Sequence, residues 1–161
     1  MNHNDLLKGD ASQKLNKYLT FTLGSEEYGL EILKVREIIG LMDITSVPRM
    51  PDFVRGVINL RGKVIPVVDL RLKFSMESIE DTKETCIIVV DLTECLMGIV
   101  VDRVSEVLDI DKSEIEEAPK FGISVDTEFI LGMGKTKGKV VILLDIEKVL
   151  TSSEMKSLSE I

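Results

Sequence analysis

"GVINLRGKVIPVVDL", Gly56 to Leu70, and "GMGKTKGKVVILLDI", Gly132 to Ile146, lie 76 positions apart and align without a gap. Gly56 falls on Gly132, Gly62-Lys63-Val64 on Gly138-Lys139-Val140, and Asp69-Leu70 on Asp145-Ile146. Two glycines and an aspartate at fixed places in aliphatic surroundings indicate one structural unit written twice. Arg61-Gly62 and Lys137-Gly138 read as hairpin tips, because glycine takes positive φ at no steric cost. A basic tip leaves three readings open: a phosphate site, a nucleic-acid contact, or a hairpin presented to another protein. Val64 to Val68 is continuously apolar, as in a strand covered on both faces, while Pro66 removes a ladder donor and predicts an edge or a bulge. Asp69 and Asp145 are placed to N-cap short apolar turns, 70–74 and 146–150.

The repeat extends upstream. "FTLGSEEYGLEILKVREI" (Phe21 to Ile38) aligns with "VVDLTECLMGIVVDRVSEV" (Val89 to Val107) once one residue is inserted. In each, a strand enters a turn, a second strand carries Gly29 or Gly98, and Val-x-Glu follows (Val35-Arg36-Glu37, Val104-Ser105-Glu106). Two similar β units result, about residues 18–75 and 85–150. Each has four or five short strands separated by turn signals, which suits small barrels or sandwiches rather than parallel β-α-β units. Thr151-Ser152-Ser153-Glu154 matches a capping box, and Met155, Leu158 and Ile161 follow at helical spacing, so residues 151–161 are expected to form a final helix. Residues 1–17 are expected to be a flexible tail, and the acidic stretch 76–84 a linker.

The chain has 161 residues, enough for one domain or for two very small units sharing a core. It is 44% hydrophobic and only 4% aromatic, without Trp, so its core must rest on Val, Ile and Leu, which favour strands. Twenty basic against 28 acidic residues give a net charge of −8, which argues against a nucleic-acid partner. No apolar run approaches the roughly 20 residues of a membrane helix, and the N-terminus lacks a secretory apolar region. Cys86 and Cys95 read as buried, reduced thiols. A cytoplasmic location is expected.

Several stretches imitate known chemistry. Gly134-Lys135-Thr136 ends like a P-loop, but Phe129 stands where the first glycine belongs and a turn and strand follow instead of a helix. "DIDKSEIEE", Asp109 to Glu117, begins like a calcium loop, but Glu114 replaces the turn glycine and Lys120 the bidentate glutamate. His3 is the single histidine and lies in the expected tail, which removes Ser-His, Cys-His and most zinc arrangements. No enzyme activity, metal or cofactor is expected. Glu37, in the apolar context "KVREII", and Arg61, at a hairpin tip, are read either as surface charges or as a pair that positions a partner. An exposed pair adds only about 0–1 kcal/mol to stability.

"FTLGSEEYGLEILKVREII", "VRGVINLRGKVIPVVDLRLKF" and "GIVVDRVSEVL" together resemble the chemotaxis coupling proteins, the CheW family; "FILGMG" and "VVILLDIEKVL" extend the match. The resemblance spans about residues 18 to 150, and Asn59 to Arg71 is its most specific part. It implies an all-β fold: two pseudo-symmetric five-stranded SH3-like barrels around a shared core. It implies a non-enzymatic adaptor linking the cytoplasmic tips of methyl-accepting chemoreceptors to the regulatory domain of the chemotaxis histidine kinase, in a ternary array at the membrane without insertion into it. Carried over residue by residue, Val35, Glu37, Arg61 and Val104 would form a receptor-binding groove, and Ile44, Arg55, Gly56 and Asn59 a kinase-binding surface. Two alternatives are an isolated kinase regulatory domain, disfavoured by Met1 with its polar tail and by the single closing helix, and a small hydrolase using two acids.

Overall fold

Both glycine-bearing tips turn as expected. Arg61 and Gly62 have φ of 52° and 85°, and Lys137 and Gly138 have 51° and 74°, the paired left-handed conformations of a type I′ hairpin turn. The computed structural model describes residues 3–9, 15–93, 95–117 and 128–159. Its strands are β1 (Lys17–Leu23), β2 (Glu26–Glu31), β3 (Val35–Gly40), β4 (Val54–Leu60), β5 (Lys63–Asp69), β6 (Cys86–Asp91), β7 (Leu96–Val101), β8 (Arg103–Asp109), β9 (Ile115–Glu116), β10 (Ile130–Thr136) and β11 (Lys139–Leu144). Helix α1 (Leu70–Lys73) follows β5, and α2 (Ser152–Ser159) lies near the C-terminus.

The strands form two sheets, ordered β8-β1-β2-β11-β10-β9 and β3-β6-β7-β5-β4. If β1 to β5 are matched to β6, β7, β8, β10 and β11 by the repeat, the two orders become the same apart from the added β9. Neither sheet, however, is one sequence unit. The β1–β2 hairpin joins the second unit's strands through a parallel β2–β11 pairing, and β6–β7 joins the first unit's strands through a parallel β5–β7 pairing. The two sequence units, 18–75 and 85–150, thus exchange their hairpins reciprocally. Hydrophobic pattern sets which face of a strand is buried, but it does not say which of two equivalent edges a hairpin joins.

Each sheet is also brought round on itself. After β3 the chain returns across β4, where Thr45 and Val57 exchange both backbone hydrogen bonds at 2.8 and 2.9 Å. After β8 it returns as β9, which pairs with β10 at the matching place, Glu116 opposite Met133. These returns explain the repeated glycines. Gly56 has φ 141°, and a β-carbon there would overlap the Thr45 carbonyl oxygen; a β-carbon on Gly132 would lie 2.6 Å from Ile115 Cγ2.

Three apolar clusters follow. The largest lies between the sheets and draws on both: Leu19, Phe21, Leu30, Ile38, Val68, Ile88, Val90, Ile99 and Leu144 are among its members. A second fills the five-stranded sheet (Ile58, Ile65, Val67, Ile87, Val89, Val100), and a third the six-stranded one (Leu108, Ile110, Val141, Leu143). Strand β6 shows why its sequence is apolar from Cys86 to Val90: Cys86, Ile88 and Val90 face the shared core, Ile87 and Val89 the other.

Strand β5 departs from expectation in two ways. It is interior, between β7 and β4, and only 65–69 are buried, whereas Val64 is 59% exposed. Pro66 is tolerated there because it faces Val57, whose N–H and C=O are already given to Thr45. On its other side the ladder to β7 begins only at Val67.

The ends are ordered where described. His3–Leu7 forms a 3₁₀ turn beside β3, with Leu6 and Leu7 packed on the shared core, so this part of the expected tail is attached to the body. Thr151 and Glu154 form the expected capping box: Glu154 Oε1 accepts from Thr151 N at 2.7 Å, and Thr151 Oγ1 accepts from Glu154 N at 3.2 Å. Leu158 is buried in the shared core, while Ile161 lies outside the described residues. Cys86 and Cys95 are not joined in a disulfide. Cys86 is buried, and burial pushes its thiol up to about 11; Cys95 is only half-buried, against expectation.

Candidate functional site

Glu37 and Arg61 are brought together. A bulge between Val35 and Glu37 leaves Arg36 unmatched on β3, and Glu37 then meets the β4–β5 tip, where its carboxylate accepts from Arg61 Nη2. The Glu37 side chain is 18% exposed and that of Arg61 70%. Asn59 shapes the same tip by accepting Gly62 N–H at 2.8 Å, while its own side chain faces solvent. Sequence reading missed that this pair is repeated. Glu106 of β8 meets Lys137 of the β10–β11 tip at 3.5 Å. Aligning both Val-x-Glu segments and both tips would have found it.

The other expected site residues separate from this pair. Val35 and Val104 are matched positions on β3 and β8, 9% and 5% exposed, and both belong to the shared core. They are not the surface anchors that the resemblance implies, because Val35, first in β3, and Val104, second in β8, both point inward. Arg55 is held by Asp69 at 3.0 Å and by both oxygens of Asp81 at 3.0 and 3.1 Å. Its hydrogen bonds to Asp81 raise an already high guanidinium pKa against the pull of burial. Asp69 in turn N-caps α1, accepting Leu72 N–H at 3.3 Å. Gly56 is buried beneath Thr45, so it shapes the surface from below. Ile44 is half-buried over the second core, close above Gly56.

A second, half-buried ion pair braces the exchanged hairpins. Arg71 after β5 donates Nε and Nη2 to both oxygens of Asp102, at 2.7 and 2.6 Å, and Asp102 also accepts Gly24 N–H from the β1–β2 turn at 2.8 Å. Burial pulls the Asp102 carboxyl up, but Arg71 and the Gly24 amide outweigh it and hold the group below the ordinary aspartate range.

The free edges of β3 and β8 face each other across a groove of about 690 Å³. Ile38 to Gly40 line one side and Arg103 to Glu106 the other, with Lys83 and Glu84 adding charge of both signs. Val104 lies at its floor. The groove also holds Ser105, whose Oγ is buried without a hydrogen-bond partner among the described residues. A mostly polar lining with charges of both signs, over a floor of largely covered apolar side chains, suits docking of an amphipathic surface. The two tempting loops have structural roles. Gly134-Lys135-Thr136 is part of β10, and in the acidic turn Glu114 Oε1 accepts Asp111 N–H at 3.1 Å.

Residues 17–154 match the family model of the CheW-like domain. A chemotaxis protein CheW of Klebsiella aerogenes is 45% identical over 139 residues, covering 86% of this chain and 84% of that protein. One from Helicobacter pylori is 33% identical over 143 residues, covering 89% and 86%. The crystal structure of the scaffolding protein TtCheW from Thermoanaerobacter tengcongensis superposes with a TM-score of 0.79 at 37% identity, over 86% of this chain and 94% of that one. The chain belongs to the CheW family of chemotaxis proteins, which are scaffolds and not enzymes.

Proposed function

We propose that this scaffold couples methyl-accepting chemoreceptors to the chemotaxis histidine kinase. The observation that carries the reading is a braced double-sheet body with a charged groove at its joint and an ion-paired hairpin tip beside it. A receptor helix would lie in the groove over Val104, with Glu37 and Arg61 at its border and Val35 supporting β3 from within. The kinase regulatory domain would meet the end of the five-stranded sheet at Ile44 and Asn59, which Gly56 and the Arg55 network hold in place. None of the described helices is long and apolar enough to cross a membrane. The protein would work in the cytoplasm, recruited to receptor arrays, where weak contacts gain strength through multivalency.

Co-sedimentation of the purified chain with receptor-tip and kinase fragments tests this. The expected result is a three-component pellet that neither fragment forms with the chain missing. Failure of the chain to link the two would overturn the proposal.

A further inference from the structure

Strand β3 is outermost in its sheet, so a backbone N–H and C=O of Ile38 point away from β6 to where another strand would lie. A side chain occupies that place. Ile38 N–H donates to Asn4 Oδ1 at 2.9 Å, and Asn4 Nδ2 donates to the Ile38 carbonyl at 3.2 Å. A primary amide carries donor and acceptor side by side, as a peptide unit does. One asparagine thus imitates a rung of a strand. The turn that carries it sets Leu6 and Leu7 on the shared core, and His3 reaches the groove that Ile38 and Ile39 also line. No residue of the turn is fully buried. An amide clamp and two half-buried leucines are a weak hold, of the kind that opens without global unfolding.

We propose that the N-terminal segment is an autoinhibitory cover, which occupies the β3 side of the groove and must leave before a receptor helix docks. This rests on the groove being the receptor-docking site. The turn puts His3 in the groove and sets two leucines on the core of which Ile38 and Val104 are members, so the turn and an amphipathic partner helix compete for one place. Population arithmetic links two observables. A cover closed K times more often than open weakens partner binding by a factor of 1 + K. It slows exchange of the Ile38 amide hydrogen by the same factor.

The test measures Ile38 amide exchange and affinity for a receptor-tip fragment in the full chain. It compares wild type with Asn4→Ala and with the double variant Leu6→Ser, Leu7→Ser, each checked for an unchanged melting temperature. The first variant removes the clamp, and the second loosens the turn while leaving Asn4 intact. Loss of two hydrogen bonds predicts exchange faster by about tenfold or more, with affinity tightened by the same factor. Unchanged exchange in both variants would overturn the cover. Faster exchange with unchanged affinity would overturn the competition. A fragment that binds no form of the chain would overturn the docking site itself, and the exchange data would still report separately on the cover.

Discussion

The two sheets are the same structure built twice, and their differences divide cleanly by location. The positions that agree are those on which the backbone depends: Gly62 and Gly138 in the tips, Gly56 and Gly132 under the returning chain, and Asp69 and Asp145 as caps. Even the supporting bonds match, Asp69 N–H to Phe53 O at 2.7 Å and Asp145 N–H to Phe129 O at 2.8 Å. The positions that differ carry side-chain chemistry. Arg55 with its two aspartates corresponds to an exposed Leu131. Ile142 stands where β5 has Pro66, and the parallel joint there has four rungs against three. The bridge at the β1–β2 turn is Asp102 with Arg71; its counterpart at the β6–β7 turn is Glu147, which accepts Thr93 N–H at 2.7 Å and faces Lys34 at 3.9 Å. The acid there comes from the segment that supplies the base in the first bridge. One backbone plan thus accepts opposite charge arrangements, and the differences mark where the two halves have been free to specialise.

The sharpest way to break the equivalence is at the glycines. Gly56→Ala combines overlap with a backbone carbonyl and a φ of 141°, where a β-carbon is strained regardless of space. It should cost about 3 kcal/mol or more in denaturant unfolding. Gly132→Ala should cost less: its β-carbon would meet the Ile115 methyl at 2.6 Å and the Glu116 carbonyl oxygen at 2.8 Å, a milder backbone approach than the 2.0 Å at Gly56, and no left-handed φ adds to it. Equal costs would show that the two returns are not differently constrained.

The ion-pair bridges come next. Arg71 and Asp102 side chains are 13% and 20% exposed and share two hydrogen bonds; Lys34 and Glu147 are 38% and 29% exposed and share a looser contact. Asp102→Asn should cost about 2 kcal/mol at neutral pH, between the values for surface and fully buried pairs. Lys34→Met should cost within about 0.5 kcal/mol. Because folding lowers the Asp102 pKa, its contribution is fully present above the unfolded value near 4 and is lost as pH falls through the folded value. The wild-type advantage over Asp102→Asn should therefore shrink below about pH 4. An advantage that persists unchanged to pH 2 would mean that ionised Asp102 is not its source.

What could be read from sequence follows the same division. Tips, caps and the closing helix depend on neighbours a few residues away, so Gly, Asp and the Thr151–Glu154 box announce them. The hairpin exchange was hidden because the competing edges have near-identical patterns. Val35 and Val104 came as groove residues from the family resemblance; strand geometry turns both into the core, and only Val104 lines the groove, at its floor. Arg55 came as a partner contact from the resemblance, and its pairing with Asp81, 26 residues on, had no local signal in the sequence. Asn4 carried no signal, since a side-chain amide pairing with a strand edge needs no pattern in either segment.

The smallest expected stability change concerns the two tips, and it tests function most directly. Asn-Gly is the favoured pair for a type I′ turn, so Arg61→Asn and Lys137→Asn keep the φ of 52° and 51° that the native residues already adopt. Each should shift unfolding stability by about 0.5 kcal/mol or less, the turn gain offsetting a mostly exposed ion pair. Partner binding should separate them. Arg61→Asn frees Glu37, a mostly covered carboxylate beside the groove-lining Ile38, and should weaken capture of receptor fragments. Lys137→Asn frees Glu106, whose side chain is already 54% exposed, and should change capture less. Equal losses would assign docking to both tips, whereas no loss in either would remove the ion-paired tip from the receptor interface.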